Sequence, residues 1–244
     1  MIRHCFIFLY LALVCFGASA ALQDDWAAAA QSYDMDAMEA LQAKLNATAD
    51  GELDVYEAQR AVAEAYAVRA AMYRRERHIQ KLPNAEDGTK RDTQAEWSVA
   101  AMPYALRALA LAKTDSEKAH ANRLIGELYS HQITGMISGM RNGPKAKRHI
   151  LAALELLPDD PECNRAIGIM YLHNPPMSGG DVDKAVSTFE ECIKKRPKND
   201  RYYILLAMAH RKKGEVGPAL DVVRQARTIN PNNLDAKHLL EVLQ

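Results

Sequence analysis

The chain has 244 residues, of which 48% are hydrophobic, and its 31 basic side chains balance its 31 acidic ones. A net charge of zero argues against bulk binding to nucleic acid, which requires a basic surface. Apolar residues recur with helical spacing throughout, and no run alternates in the manner of a strand. We therefore predict an all-α protein.

The first twenty residues have the pattern of a secretory signal. Arg3 and His4 precede an apolar run over residues 5–16, and Ala18, Ser19 and Ala20 form a small-x-small cleavage site. The run is shorter than the roughly 20 apolar residues that a membrane-spanning helix needs. The pattern predicts a signal peptide over residues 1–20, cleavage after Ala20, and export across the inner membrane to a bacterial periplasm.

Residues 21–244 are predicted to form a single helical-repeat domain, because turn signals separate helical stretches along its whole length. The predicted helices cover residues 24–33, 35–48, 52–80, 94–113, 116–140, 144–157, 161–172, 182–195, 200–213, 216–229 and 234–243. Residues 21–115 are interpreted as divergent helical pairs, 116–233 as repeat units and 234–244 as a capping helix. Since the amino-terminal end has no comparable cap, self-association into a homo-oligomer through the first helices is expected.

Small and aromatic residues recur at matching positions in the last two units. They are Gly168, Tyr171, Ala185, Phe189, Cys192 and Pro197 in one unit, and Ala207, Gly214, Ala219, Ala226 and Pro231 in the next. Pro158, Pro197 and Pro231 stop helices at intervals of 39 and 34 residues. In this pattern residues 116–244 resemble the tetratricopeptide-repeat (TPR) family. The resemblance implies a right-handed array of antiparallel helix pairs, a TPR-like α-solenoid, whose concave surface binds other proteins.

The longer of the two intervals contains a distinctive loop over residues 174–181. Its Pro-Pro-x-x-Gly-Gly-Asp pattern, followed by Lys184, Ala185 and Phe189, is similar to a loop in the T components of TRAP-type transporters. That similarity implies a small-molecule-binding accessory protein whose partner is a periplasmic solute-binding protein. The residues that would line its ligand cleft are Ile133, Met136, Ile137, Met140, Asn174 and Met177. The alternative is a structural loop that only links two helices.

Protein binding by the array is predicted to depend on exposed aromatic and arginine side chains of the inner helices. The candidates are Tyr129, Arg165, Tyr202, Tyr203 and Arg211. Basic clusters near the turns, one of them Arg141, Lys145, Lys147 and Arg148, suit an acidic protein partner or anionic lipid headgroups. They are also compatible with a plain role in complementing helix dipoles.

Catalytic signatures are missing from the sequence, which has no zinc-type His-Glu-x-x-His, no nucleophile elbow and no phosphate-binding loop. We therefore predict no enzyme activity, no cofactor, no metal site and no nucleic-acid partner. Cys163 and Cys192 lie at helix ends that should meet, so they either form a disulfide or leave Cys192 as a small buried residue. The favoured function is an exported scaffold for protein–protein interaction in the bacterial envelope, with the TRAP-type accessory protein as the alternative.

Overall fold

The computed structural model describes residues 22, 24–80 and 93–244. The predicted signal peptide lies outside these residues. Every regular element in the described part of the chain is helical, as the sequence predicts. None of the helices among these residues is both long enough and apolar enough to cross a membrane.

The helices follow one another with short turns between them. In chain order they are α1 (24–32), α2 (Met35–Gly51), α3 (Tyr56–Gln80), α4 (Thr93–Leu111), α5 (Asp115–His131), α6 (Met136–Leu156), α7 (Pro161–His173), α8 (Val182–Lys195), α9 (Asp200–Lys213), α10 (Val216–Ile229) and α11 (Leu234–Leu243). Side-chain caps start most of the later ones, because Asp160, Asp181, Asn199 and Asn233 accept hydrogen bonds from free backbone N–H groups. Gly214, at φ 82°, ends α9.

One predicted helix is wrong. The stretch 116–140 is not continuous, because α5 ends at His131 and α6 begins at Met136. Ser138 Oγ lies 2.9 Å from both the Thr134 and the Gly135 backbone nitrogen, so its side chain caps the new helix. Pro144, predicted to begin a helix over 144–157, lies inside α6, where the carbonyl that loses its donor belongs to the exposed Met140.

Helices pair closely where a glycine faces a large side chain. A Cβ atom added to Gly168 of α7 would lie 2.6 Å from Phe189 Cε1 of α8, and one added to Gly126 of α5 would lie 2.6 Å from Ile150 Cγ1 of α6. Because glycine has no side chain, the two helices of each pair can approach closely at these positions. Phe189 is fully buried in a core that continues through α9, α10 and α11.

The inner layer of the array consists of α3, α5, α7 and α9. Each of these helices contacts the next, whereas the even-numbered helices lack comparable contacts with one another among the described residues. The last helix, α11, packs against α10 and beside α3, and α10 packs against α9. The array therefore closes into a ring.

Polar contacts complete the closure. Tyr33 Oη lies 2.9 Å from Asn233 Oδ1 and 3.1 Å from Asp235 Oδ2, and Asn230 Nδ2 donates to the Gln31 carbonyl at 3.1 Å. Tyr33 has φ 59°, a left-handed conformation that is uncommon outside glycine. The first and last turns therefore cap each other. The expected self-association rested on an uncapped amino-terminal end, and the structure removes that reason.

Candidate functional site

A chain of buried charges crosses the inner layer. Arg123 of α5 contacts Glu64 of α3 at 2.6 Å and Glu127 of its own helix at 2.8 Å. Arg165 of α7 contacts the same Glu127 oxygen at 2.8 Å and Glu162 at 2.7 Å. The hydroxyl of Tyr202 on α9 donates to the other Glu162 oxygen. Four inner helices are thus joined by one network.

The network keeps Arg123 and Glu162 charged despite their burial. Burial acts to lower the pKa of Arg123, but Glu64 and Glu127 raise that pKa well above its usual value. Burial acts to raise the pKa of Glu162, but Arg165 and Arg123 hold it well below its usual range. These groups stay ionised near neutral pH, so they act as fixed charges and are unsuited to proton transfer.

Two open grooves lie at the end of the ring where α5, α7 and α9 begin. One has a volume of about 380 Å³ and is lined by Tyr56, Glu57, Arg60, Glu64, Ser116, Glu117, His120, Arg123, Glu162 and Arg196. The other, of about 560 Å³, is lined by Ala27, Ala30, Gln31, Tyr33, Arg196, Pro197, Lys198, Asn199, Asp200, Arg201 and Asn230. Because Arg196 belongs to both, they form one surface, which we call the groove face.

Charges on the groove face are only partly paired. Arg196 has two weak contacts, with Asp160 at 3.8 Å and Glu162 at 3.9 Å. Lys198 and Arg201 have no carboxylate partner in the described part of the chain. They are therefore available to an anionic group of a ligand.

A smaller, half-open cavity lies inside the ring. Its volume is about 40 Å³, and its walls include Glu127, His131, Arg165, His173 and Leu205. One ordered water needs roughly 10–15 Å³ on this measure. The cavity therefore has room for a few waters.

The predicted partner-binding residues do not form one exposed surface. Tyr202 and Tyr203 are buried and donate their hydroxyl groups to Glu162 and to the Pro197 carbonyl. Arg165 belongs to the charge network, and Tyr129 stacks on His149 with ring centroids 6.0 Å apart. Arg211, in the last turn of α9, is half-buried. Burial removes the two tyrosines from the predicted contact surface, because their rings fill the space between helices.

The residues predicted to line a ligand cleft lie largely on the surface, at two turns. Met136, Ile137, Met140 and Met177 are 83%, 83%, 76% and 94% exposed, while Ile133 and Asn174 are half-buried. We call the four exposed side chains the methionine edge. They project into solvent at two turns, the α5–α6 turn and the α7–α8 loop, and line no pocket described above.

The two cysteines are free, buried thiols, so the proposed disulfide is not formed. The Cys192 Sγ atom contacts the Pro161 carbonyl at 3.3 Å, whereas Cys163 packs with Ala119 and Ala153. The two side chains thus have different neighbours. Burial raises the pKa of Cys192 to about 11, which keeps the thiol protonated and unreactive near neutral pH.

One group of potential metal ligands exists among the described residues. Ligand atoms of His120, Asp160 and Cys163 all lie within 4.8 Å of one another. Asp160 Oδ1 already accepts from the backbone N–H groups of Glu162 and Cys163. Burial raises the pKa of Cys163 to about 12, which opposes the thiolate form that binds metals. The arrangement fits a helix cap better than a metal centre.

Comparison with solved structures agrees with the helical geometry. TTC0263, a thermophilic TPR protein of Thermus thermophilus, superposes with a TM-score of 0.57 at 15% identity, covering 91% of this chain and 98% of that one. The chain has the TPR fold. YrrB, a TPR protein described as having an unusual peptide-binding site, gives a TM-score of 0.44 at 15% identity over 86% of both chains. No protein-family profile and no curated protein sequence matches this chain.

Proposed function

We propose that this protein is a non-catalytic scaffold that binds a segment of another protein on the groove face. The observation that carries the proposal is the pair of connected open grooves, lined by side chains from several helical pairs. A site built from several units of an array can contact an extended segment at several points along the segment. The TPR fold, which presents helices for such contacts, supports the same reading.

The charges of the groove face define the chemistry of the segment. Lys198 and Arg201, which lack a carboxylate partner among the described residues, favour a segment that places carboxylates beside them. Arginine pairs with a carboxylate through two parallel hydrogen bonds, which fixes orientation as well as affinity. Glu57 and Glu117 line the neighbouring groove, where one oxygen of Glu57 pairs with Arg60 and one oxygen of Glu117 accepts from backbone N–H groups. The second oxygen of each carboxylate favours a basic or hydroxyl-bearing residue farther along the segment.

A role as a TRAP-type accessory protein that binds small molecules has weaker support. The cavity inside the ring has a volume of only about 40 Å³, and the methionine edge lines none of the grooves or cavities described above. We assign the scaffold to the bacterial envelope on the pattern of residues 1–20. Amino-terminal sequencing of the protein from its own host tests the assignment, since export with cleavage after Ala20 predicts a mature chain that starts at Ala21.

Site-specific photo-crosslinking tests the binding proposal directly. A photoreactive amino acid is placed at Ala27, which is exposed and lines the groove face, and as a matched control at Arg224, which is 63% exposed on the outer helix α10. We expect a discrete protein adduct at position 27 in the host cell and none at position 224. Lys198→Glu should then weaken the adduct. Equal labelling at both positions, or none at position 27, would contradict the proposal.

A further inference from the structure

We infer that the methionine edge docks the protein onto an anionic membrane surface. This surface lies at the opposite end of the ring from the groove face and is independent of the function proposed there. α5 and α7 begin at the groove face, and the turns that follow them carry the edge.

The apolar part of this surface is built by two neighbouring turns. Met136, Ile137 and Met140 occupy the first turns of α6, and Met177 projects from the loop after α7. A Cβ atom added to Gly179 would lie 3.8 Å from Lys147 Nζ, so the loop that carries Met177 lies within reach of the Lys147 side chain of α6. Large apolar side chains grouped in this way on a soluble surface mark an interaction site.

Basic residues follow the apolar ones along α6. Arg141, Lys145, Lys147 and Arg148 are all exposed, and none has a carboxylate partner among the described residues. No acidic residue occurs between positions 132 and 154. At a rise of 1.5 Å per residue, these cations lie roughly 6 to 17 Å along the helix axis from Ile137. Along the α6 axis, the surface therefore begins with an apolar end and continues with a basic zone.

This layering matches the interface of a bilayer. An apolar face penetrates about 5–10 Å into the headgroup and acyl boundary, while lysine and arginine side chains meet anionic headgroups above it. Flexible methionine side chains adapt to an irregular surface of this kind. A second copy of the chain fits less well, because a symmetric contact through this edge brings the same cations of both copies together.

Docking through the edge also orients the protein. With the methionine edge in the membrane interface, the groove face points away from the lipid. A segment of a water-soluble partner can then reach Lys198 and Arg201 without crossing the bilayer surface.

Vesicle co-sedimentation of the full mature chain tests the inference. We expect binding to vesicles of mixed phosphatidylcholine and phosphatidylglycerol, little binding to pure phosphatidylcholine, and weaker binding when sodium chloride is raised to about 0.5 M. Each cation near an anionic surface contributes about fivefold to binding, so Arg141→Gln with Lys147→Gln should weaken it about 25-fold. Ile137→Ser and Met140→Ser should each weaken it at least tenfold.

Matched control variants distinguish binding through the methionine edge from nonspecific adsorption to vesicles. Val99 and Leu106 are 59% and 48% exposed on α4, so Val99→Ser and Leu106→Ser should leave vesicle binding unchanged. Lys198→Gln, at the opposite end, should also leave it unchanged. Absence of binding to the anionic vesicles, or equal losses in the control variants, overturns the inference. A dimer in solution that Ile137→Ser dissociates, without vesicle binding, would assign the edge to self-contact instead.

Discussion

The shared carboxylate of Glu127 offers the sharpest test of how the inner layer is held together. One oxygen of Glu127 accepts from both Arg123 and Arg165 at 2.8 Å, and its side chain is 9% exposed. Glu127→Gln keeps the shape but removes the charge that separates two buried guanidinium groups. Removing one partner from a buried ionic network costs about 3–5 kcal/mol of unfolding free energy.

That loss is large enough to measure by heat or urea. In a domain of this size 1 kcal/mol shifts Tm by about 2–4 °C, so the variant should melt about 6–20 °C below the parent. Because the pairs are buried, the difference should persist at high salt. Glu155→Gln is the control, since Glu155 is exposed on α6 and such surface changes stay within about 0.5 kcal/mol.

A double-mutant cycle isolates the pair itself. Glu127→Gln combined with Arg165→Gln should be more stable than the sum of the two single losses implies, with a coupling of about 0.5–3 kcal/mol. If Glu127→Gln unfolds within about 1 kcal/mol of the parent, the ionic network does not hold the inner helices together, and apolar packing must be sufficient.

Three further changes probe other parts of the fold. Gly168→Ala places a methyl group against Phe189, and we expect a loss of about 1–3 kcal/mol in urea unfolding. Tyr33→Phe removes the hydroxyl group that contacts Asn233, which should cost about 1 kcal/mol and speed amide exchange in α11. Burial and a nearby arginine lower the pKa of His120 from 6.5, so the unfolded chain binds that proton more tightly. Stability should fall as the pH drops below about 6.5, and His120→Gln should flatten that fall.

Each of these expectations has a result that contradicts it. Gly217 has open space around its Cβ position, so Gly217→Ala should be neutral or slightly stabilising, and equal losses at both glycines would refute the packing argument. Unchanged exchange in α11 of Tyr33→Phe would mean that the hydroxyl does not secure the closure. For His120, an NMR titration midpoint at or above 6.5 would contradict the lowered pKa.

Local packing signals in the sequence predicted much of the fold. Gly168, Phe189 and the proline stops mark close helix pairs, and these contacts involve residues near each other in the chain. The break between α5 and α6 was missed because Ser138 caps a helix inside a stretch with continuous helical periodicity. Ser138, which lies between Gly135 and Gly139, is the feature of the sequence that could have indicated a new helix start.

The candidate sites were harder to predict because they depend on distant residues. Tyrosine is a residue type common at protein interfaces, yet Tyr202 is buried against Glu162, 40 positions away in the sequence. Arg123 and Glu127 were visible as an i, i+4 pair, but nothing in the sequence placed Glu64 beside them. Residues of the methionine edge were predicted to line a cleft, but those on α6 are exposed because their face of the helix does not pack against α5.

Closure of the ring fixes the number of helical pairs. An open array can lose a terminal unit and keep the contacts of the units that remain, because each unit touches only its neighbours. Here Tyr33 meets Asn233 only if the intervening units complete one circuit. Deleting the pair α7–α8 would leave the two ends too far apart to touch, so a change of length that shortens other solenoids would open this one.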